Sequence, residues 1–363
     1  MGAGRGVVEA YFHSLLRGDQ QGAVPAFQRA GLWALSQPYG WAVRGRIWLF
    51  YRGWTKTCRA GVPVISVGNL TVGGTGKTPC VAHVARFFSQ QNLRVAILSR
   101  GYGGKHGCND EALVLRQNLP GIPHLQGADR VSLARQAVEE YRSEVLVLDD
   151  GFQHRRLERD LDLVLIDATS PWGHDHLLPR GLLREPAAGL QRAGLVLLTR
   201  CDQARPEVLA DIHRRIRRLV PWLGVVETIH RPGGWINAAG QTLPLTELKT
   251  RPWAAFCGIG NPDAFRRTLL DLRAGSAGLS DWRTFADHHD YGAGDMKDLE
   301  TWAGRQPADS VILTTQKDLV KLPIETLHGR SLWALQIELH ARTNASLLEQ
   351  KLLAAVGGRP SPC

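Results

Sequence analysis

The sequence predicts a doubly wound α/β domain, a mostly parallel sheet with helices on both faces, and a second, smaller α/β domain after it. Three observations carry that expectation. A β-branched run at residues 64–67 leads into a glycine-rich turn and then a helical stretch. Further short apolar runs at 94–98, 144–148, 161–166 and 195–198 end in polar residues and alternate with helical pattern. The 363 residues are enough for two full cores.

Composition narrows the class. Hydrophobic content of 44% and charged content of 21% describe a globular chain, so disorder is set aside. The net charge is +10, and it is local. From Gln20 to Asn109 there is no Asp or Glu among eleven Lys and Arg, and without those eleven the chain carries 33 positive against 34 negative charges. The six cysteines form no C-x-x-C motif and no zinc-spaced cluster, which favours a reduced setting. No signal-peptide pattern, internal repeat or uncharged apolar stretch of spanning length is present.

In chain order, residues 1–23 read as a short polar helix, an N-terminal extension. Residues 24–60 interleave Trp33, Tyr39, Trp41, Trp48, Phe50, Tyr51 and Trp54 with Arg29, Arg44, Arg46, Arg52, Lys56 and Arg59. At helical spacing Val43, Ile47, Phe50, Tyr51 and Trp54 share a face. An aromatic, basic, amphipathic helix suits an anionic membrane surface; a core-packing helix and a nucleic-acid patch are the other readings of the same pattern.

The turn that follows the first strand, Thr71-Val72-Gly73-Gly74-Thr75-Gly76-Lys77-Thr78, has the parts of a phosphate cradle. Backbone N–H groups and a helix N-terminus face the anion, a lysine reaches the terminal phosphates, and a threonine hydroxyl suits magnesium. Thr71 stands where the strict G-x-x-x-x-G-K-[ST] pattern has glycine. The expected domain, residues 61–230, is therefore P-loop NTPase-like. Its second strand runs into Ser99-Arg100-Gly101-Tyr102-Gly103-Gly104, which either supplies hydroxyl and guanidinium contacts or only turns the chain. A helix is expected over 128–141.

Residues 144–154 place Asp149 and Asp150 after four apolar residues. In a parallel sheet that end opens on the nucleotide, where a carboxylate can hold magnesium. Thr199-Arg200-Cys201-Asp202 sits where some GTPases carry N-K-x-D and lacks the Asn and Lys, an argument against GTP. Residues 231–250 read as a hairpin linker, 251–350 as the second domain, and 351–363 as a tail. Within the second domain, Asp287-His288-His289-Asp290 resembles a metal cluster, but adjacent histidines point in different directions, which favours one functional His.

These motifs, taken in order, resemble the tetraacyldisaccharide 4′-kinases of lipid A biosynthesis. The resemblance rests on residues 67–79, 99–104, Asn109-Asp110-Glu111, 149–154, 178–186, 258–262, Asp287-His288 and 314–321. It implies transfer of the ATP γ-phosphoryl group to the 4′-hydroxyl of a tetraacyldisaccharide 1-phosphate. The setting it implies is the cytoplasmic face of a bacterial inner membrane, with the enzyme peripheral and nucleic acid not a partner. By the same likeness Lys77 and Thr78 handle phosphates and Mg²⁺, Asp149 and Asp150 form the metal-side acid pair, and Asp110 with His288 activates the sugar hydroxyl. Arg130, Glu185 and Ser99 match active-site positions. Asn109 stands where the family commonly has Gly, and residues 1–23 fall outside the likeness. Two rivals make different predictions: a kinase of a soluble metabolite would not need residues 1–60, and a membrane-associated ATPase switch would not need His288.

Overall fold

The computed structural model describes residues 11–12, 14–101, 110–273 and 278–357. Residues 1–10 of the expected extension, Tyr102, Gly103, Gly104 and Asn109, and residues 358–363 of the expected tail lie outside the described residues. The chain divides into two compact units. The larger comprises residues 7–101, 119–230 and 339–363, and the smaller residues 1–6, 102–118 and 231–338. Among the described residues, 110–118 and 339–350 thus each join the unit opposite to the one their position in the chain suggests.

The larger unit begins with helix α1 (Ala23–Tyr51), which holds Pro38 in its interior. Strand β1 (Val64–Asn69) is buried along its whole length and ends at the glycine-rich turn. Helix α2 (Lys77–Gln90) starts two residues before Pro79, because Gly76 takes a left-handed conformation and lets the turn enter the helix directly. Strand β2 (Val95–Ser99) follows, and helix α3 (Asp110–Asn118) belongs to the smaller unit. Strand β3 (His124–Gln126) precedes helix α4 (Arg130–Glu139), whose N-cap Asp129 accepts the backbone N–H of Val131. Strands β4 (Val145–Asp149), β5 (Leu161–Asp167) and β6 (Leu195–Thr199) are buried throughout.

Strand β7 (Val225–Ile236) completes a parallel sheet ordered 7-6-5-1-4-2-3. Seven strands replace the five that the apolar runs suggested; β3 and β7 are half-polar, which hides them from a search for apolar runs. The crossovers leave β1 and β4 toward opposite sides, so the crevice outside their C-terminal ends is the topological switch point. Packing fixes that crevice: a Cβ on Gly68 of β1 would lie 2.6 Å from the Phe152 Cβ.

In the smaller unit, the far end of β7 pairs antiparallel with β8 (Thr242–Leu243). This is the hairpin read from the sequence, and it lies inside the unit. Strands β9 (Trp253–Cys257), β10 (Asp281–Thr284), β11 (Val311–Thr315) and β13 (Arg330–Ala341) form a parallel sheet ordered 10-9-11-13, with β12 (Thr326–Leu327) antiparallel to β13. Trp235, Trp253, Phe256 and Trp302 fill its core.

Helix α1 corrects the expected face. Val43, Ile47 and Phe50 are half-buried, while Tyr51 and Trp54 are exposed, so the five do not form one surface. The helix also ends at Tyr51, leaving 52–60 as turn and loop. The outward side carries Val24, Phe27, Leu35, Trp41 and Trp48 instead, and Phe27 is 81% exposed. Tyr39 on the inner side donates to the Arg184 carbonyl at 2.8 Å. Among the described residues no helix is long and apolar enough to cross a membrane.

Candidate active site

The larger unit holds the cradle. Gly73 (φ 110°) and Gly76 (φ 89°) occupy the left-handed region that favours glycine. Gly76 has a second constraint, because an added Cβ would meet the His230 Nε2 at 2.4 Å. Thr71 bridges to Leu183, and the Val72 N–H donates to the Leu182 carbonyl, so this stretch of the turn is tied to the 182–184 loop. Thr75 is held from two sides: Asn69 Nδ2 donates to its hydroxyl at 2.9 Å and Thr199 Oγ1 donates to its carbonyl at 2.9 Å. Arg200, paired with Asp167, donates to the Gly74 carbonyl at 2.7 Å. These contacts give the Thr-Arg pair that stands in place of N-K a structural use.

Lys77 lies 3.6 Å from Asp150, whose two oxygens both accept from Arg184 at 2.8 Å. Burial raises the Asp150 carboxyl, but the charges of Lys77 and Arg184 outweigh it and hold the group below the usual carboxylate range. Asp149 and Thr78 are both buried nearby in sequence terms, one at the end of β4 and one in the first turn of α2. Thr78, Asp149 and Asp150 present only hard oxygen donors, which fit Mg²⁺ held by one or two carboxylates together with phosphate and water. Among the described residues no cluster of three or more His, Cys, Asp or Glu is placed to hold a metal.

Ser99 sits at the end of β2, with its hydroxyl 2.8 Å from the His124 Nε2 and accepting from Gln126 at 3.3 Å. Arg130 is 5% exposed at the start of α4; burial and Arg100 lower its proton affinity, while Asp150 and Asp149 raise it. Glu185, also buried, accepts from Gln153 at 2.9 Å and Arg192 at 3.1 Å, and the same Gln153 amide donates to the Asn69 carbonyl at 2.9 Å. Glu185 therefore anchors the Asp-Asp-Gly-Phe-Gln loop to the end of β1. His154 is pushed down to about 4 by burial and by Arg130, Arg159, Arg156 and Arg46.

The smaller unit holds a different arrangement. His288 Nδ1 lies 2.8 Å from Asp110 Oδ2, across 178 positions of sequence. Asp110 lies in the first turn of α3 and is buried, whereas the His288 side chain is 54% exposed. Burial raises Asp110, but the His288 hydrogen bond and the charges of Lys317, His288 and Lys321 bring it below the usual range. The bond to Asp110 raises His288 against the effect of burial. His289 turns away, 3.2 Å from Asp295 and packed against the rings of Phe285 and Tyr291. The two histidines thus have separate environments.

The comparisons agree on one family. The model of the tetraacyldisaccharide-1-P 4′-kinases, LpxK, matches residues 28–356. A tetraacyldisaccharide 4′-kinase of Anaeromyxobacter sp. (strain K) is 38% identical, with 95% of each chain covered. One from Geobacter metallireducens is 40% identical, with 79% of this chain and 87% of that one covered. Among solved structures, the crystal structure titled as the "apo" form of LpxK from Aquifex aeolicus in complex with ATP superposes with a TM-score of 0.71 at 29% identity, covering 91% of this chain and 99% of the other. On this evidence the chain belongs to the tetraacyldisaccharide-1-P 4′-kinase family.

Proposed function

We propose that this chain transfers the γ-phosphoryl group of ATP to the 4′-hydroxyl of a tetraacyldisaccharide 1-phosphate, using the cradle for the donor and the Asp110–His288 pair for the acceptor. The observation that carries this reading is the 2.8 Å contact between Asp110 and His288. A nucleotide switch has no need of a proton acceptor dedicated to an alcohol, and a kinase of a sugar hydroxyl does.

Phosphoryl transfer is mainly positioning and charge neutralisation. The backbone N–H groups of residues 73–78 face the phosphates, and Lys77 neutralises charge on the transferred group. Arg184 keeps Asp150 ionised and oriented toward Lys77. Mg²⁺, when bound, screens the phosphate oxygens; Thr78, Asp149 and Asp150 would hold it. Ser99 and Arg130 supply hydroxyl and guanidinium contacts on the same side of the sheet. Glu185 is a positioning residue that acts through Gln153 and Arg192. The Asp110–His288 pair takes the 4′-hydroxyl proton as the oxygen bonds to phosphorus and the bond to the ADP oxygen breaks.

The acceptor is a lipid, and the outward side of α1 suits its setting. Trp48 stacks edge-on with Trp54 at 5.3 Å, and the Arg52 guanidinium lies 5.3 Å from the Trp48 ring. Exposed aromatics beside a cation suit the interfacial region of an anionic bilayer. Because ATP is the donor, the cytoplasmic face is the one used. Incubation with γ-labelled ATP and the disaccharide 1-phosphate lipid tests the proposal. Label moves to lipid, and Lys77→Ala, Asp110→Asn and His288→Ala each cut that transfer by about a hundredfold or more. ATP hydrolysis with no labelled lipid, or full transfer by His288→Ala, would overturn it.

A further inference from the structure

The segment after β11, Gln316-Lys317-Asp318-Leu319-Val320-Lys321, carries the two lysines whose charges are set against Asp110. Lys321 Nζ lies 3.8 Å from Asp110 Oδ2 and 3.5 Å from Asp318 Oδ1, and its side chain is mostly buried. Asp318 is fully buried and rigidly held. It accepts from the Gly258 N–H at 3.1 Å, from Thr315 Oγ1 at 2.6 Å and from Tyr291 Oη at 2.9 Å. The ammonium also faces the Tyr291 ring at 5.6 Å. Lys317 is paired with Glu111 at 2.7 Å, and its charge also lowers Asp110.

We propose that Lys321 is a positioning residue for the phosphoryl acceptor chemistry: anchored on Asp318, it fixes the Asp110 carboxylate against His288 and keeps the pair ready to accept a proton. The inference rests on the pair acting as the base. The charged and titratable groups around the pair are His288, Lys317 and Lys321 on Asp110, Asp287 at 4.0 Å on His288, Glu111 on Lys317, and Asp318 with Tyr291 on Lys321. A cation within about 4 Å lowers the proton affinity of a carboxylate–imidazole pair as a whole. Removing it therefore leaves the pair proton-loaded to higher pH, and the rising limb of the kcat profile moves upward. Packing alone would lower kcat by the same factor at every pH.

The test is the pH profile of kcat for Lys321→Met and Lys321→Arg in the full chain, with the disaccharide 1-phosphate lipid in detergent. On the acidic limb Lys321→Met should retain about one-tenth of the parent kcat, rising to within about twofold on the alkaline plateau. The KM for ATP should stay within about twofold, and Lys321→Arg should restore the parent limb. If Lys321→Met folds poorly, Lys321→Gln keeps a polar end without the charge and reads the same limb. A limb unmoved in both neutral variants, or a uniform loss across pH, overturns the proposal. Asp110→Asn separates the two levels of inference. Full transfer by that variant removes the base reading itself, whereas a dead Asp110→Asn beside an unshifted Lys321→Met removes only the role given to Lys321.

Discussion

In the larger unit the proposed anion site is made mostly of backbone: two left-handed glycines, a helix start, carbonyls held by Thr199 and Arg200, and a Thr75 hydroxyl held by Asn69. In the smaller unit the proposed proton site is made of side chains alone, Asp110, His288, Lys317 and Lys321, drawn from distant parts of the sequence. The histidines show the same contrast. His230 and His154 in the larger unit are pushed down to about 3 and about 4 by burial and neighbouring arginines, whereas His288 is raised by its carboxylate partner. A phosphate site needs a fixed shape and a field of positive charge, and a neutral imidazole tolerates both. A base needs a partner that stabilises the proton it receives.

The widest difference is expected from removing one charged group in each unit. Lys77→Ala should reduce transfer by about a thousandfold or more and weaken nucleotide binding, because it removes a phosphate contact. Asp110→Asn should cost about 10²–10⁴-fold in kcat with nucleotide affinity unchanged, because it removes only proton transfer. Steady-state transfer together with isothermal titration of an ATP analogue separates the two outcomes.

Gly76→Ala probes shape without touching charge. It combines a left-handed φ with a Cβ 2.4 Å from His230, so a cost of about 1–3 kcal/mol in stability is expected together with weaker ATP binding. Adding His230→Ala should recover only part of the loss, since it relieves the clash and leaves the backbone strain. Full recovery in the double variant would show that φ is unimportant there. Thermal melts with and without nucleotide read both effects.

Acidification should act differently on the two units. His230 and His154 have folded values below the ordinary imidazole range, so below about pH 6.5 the unfolded chain binds protons that the folded larger unit refuses. Stability there is full above about pH 6.5 and falls with pH toward 4, by about 1.4 kcal/mol per pH unit for each such proton. In the smaller unit the raised His288 contributes stability below about pH 6.5 that is lost as pH rises through its folded value. The lowered Asp110 contributes above its unfolded value and is lost as pH falls through the folded one. Hydrogen exchange across pH 4–8 should show the larger unit losing protection on the acid side, and His230→Gln should flatten that loss.

The smallest catalytic effect belongs to the exposed aromatics. Trp48→Glu with Trp54→Glu should release the protein from anionic liposomes and leave ATP affinity within about twofold. Unchanged sedimentation with liposomes would remove α1 as the membrane contact.

The larger unit was the more legible in the sequence, for a physical reason. Strand, glycine turn and helix start are consecutive, so local composition reports the cradle directly, and the acids of β4 follow the same rule. Half-polar β3 and β7 were not visible as apolar runs, and neither were the long-range contacts of Arg184, Arg200 and His124, because a guanidinium or imidazole carries no periodic signal for its partner. In α1 the spacing correctly indicated a helix. It did not indicate which side faces solvent, since aromatics line more than one side and the inner surface is decided by Gly40 and Tyr39 meeting the 177–184 segment. In the smaller unit Asp110 and His288 were named only through family likeness; 178 intervening residues leave no local trace of their contact.

Transfer to lipid by this chain is proposed to need both a donor site and a separate proton acceptor. The most direct measurement is label transfer from γ-labelled ATP to the disaccharide 1-phosphate lipid by His288→Ala, alongside its affinity for an ATP analogue. Transfer should be lost with affinity unchanged. Transfer retained, or transfer and affinity lost together, would contradict it.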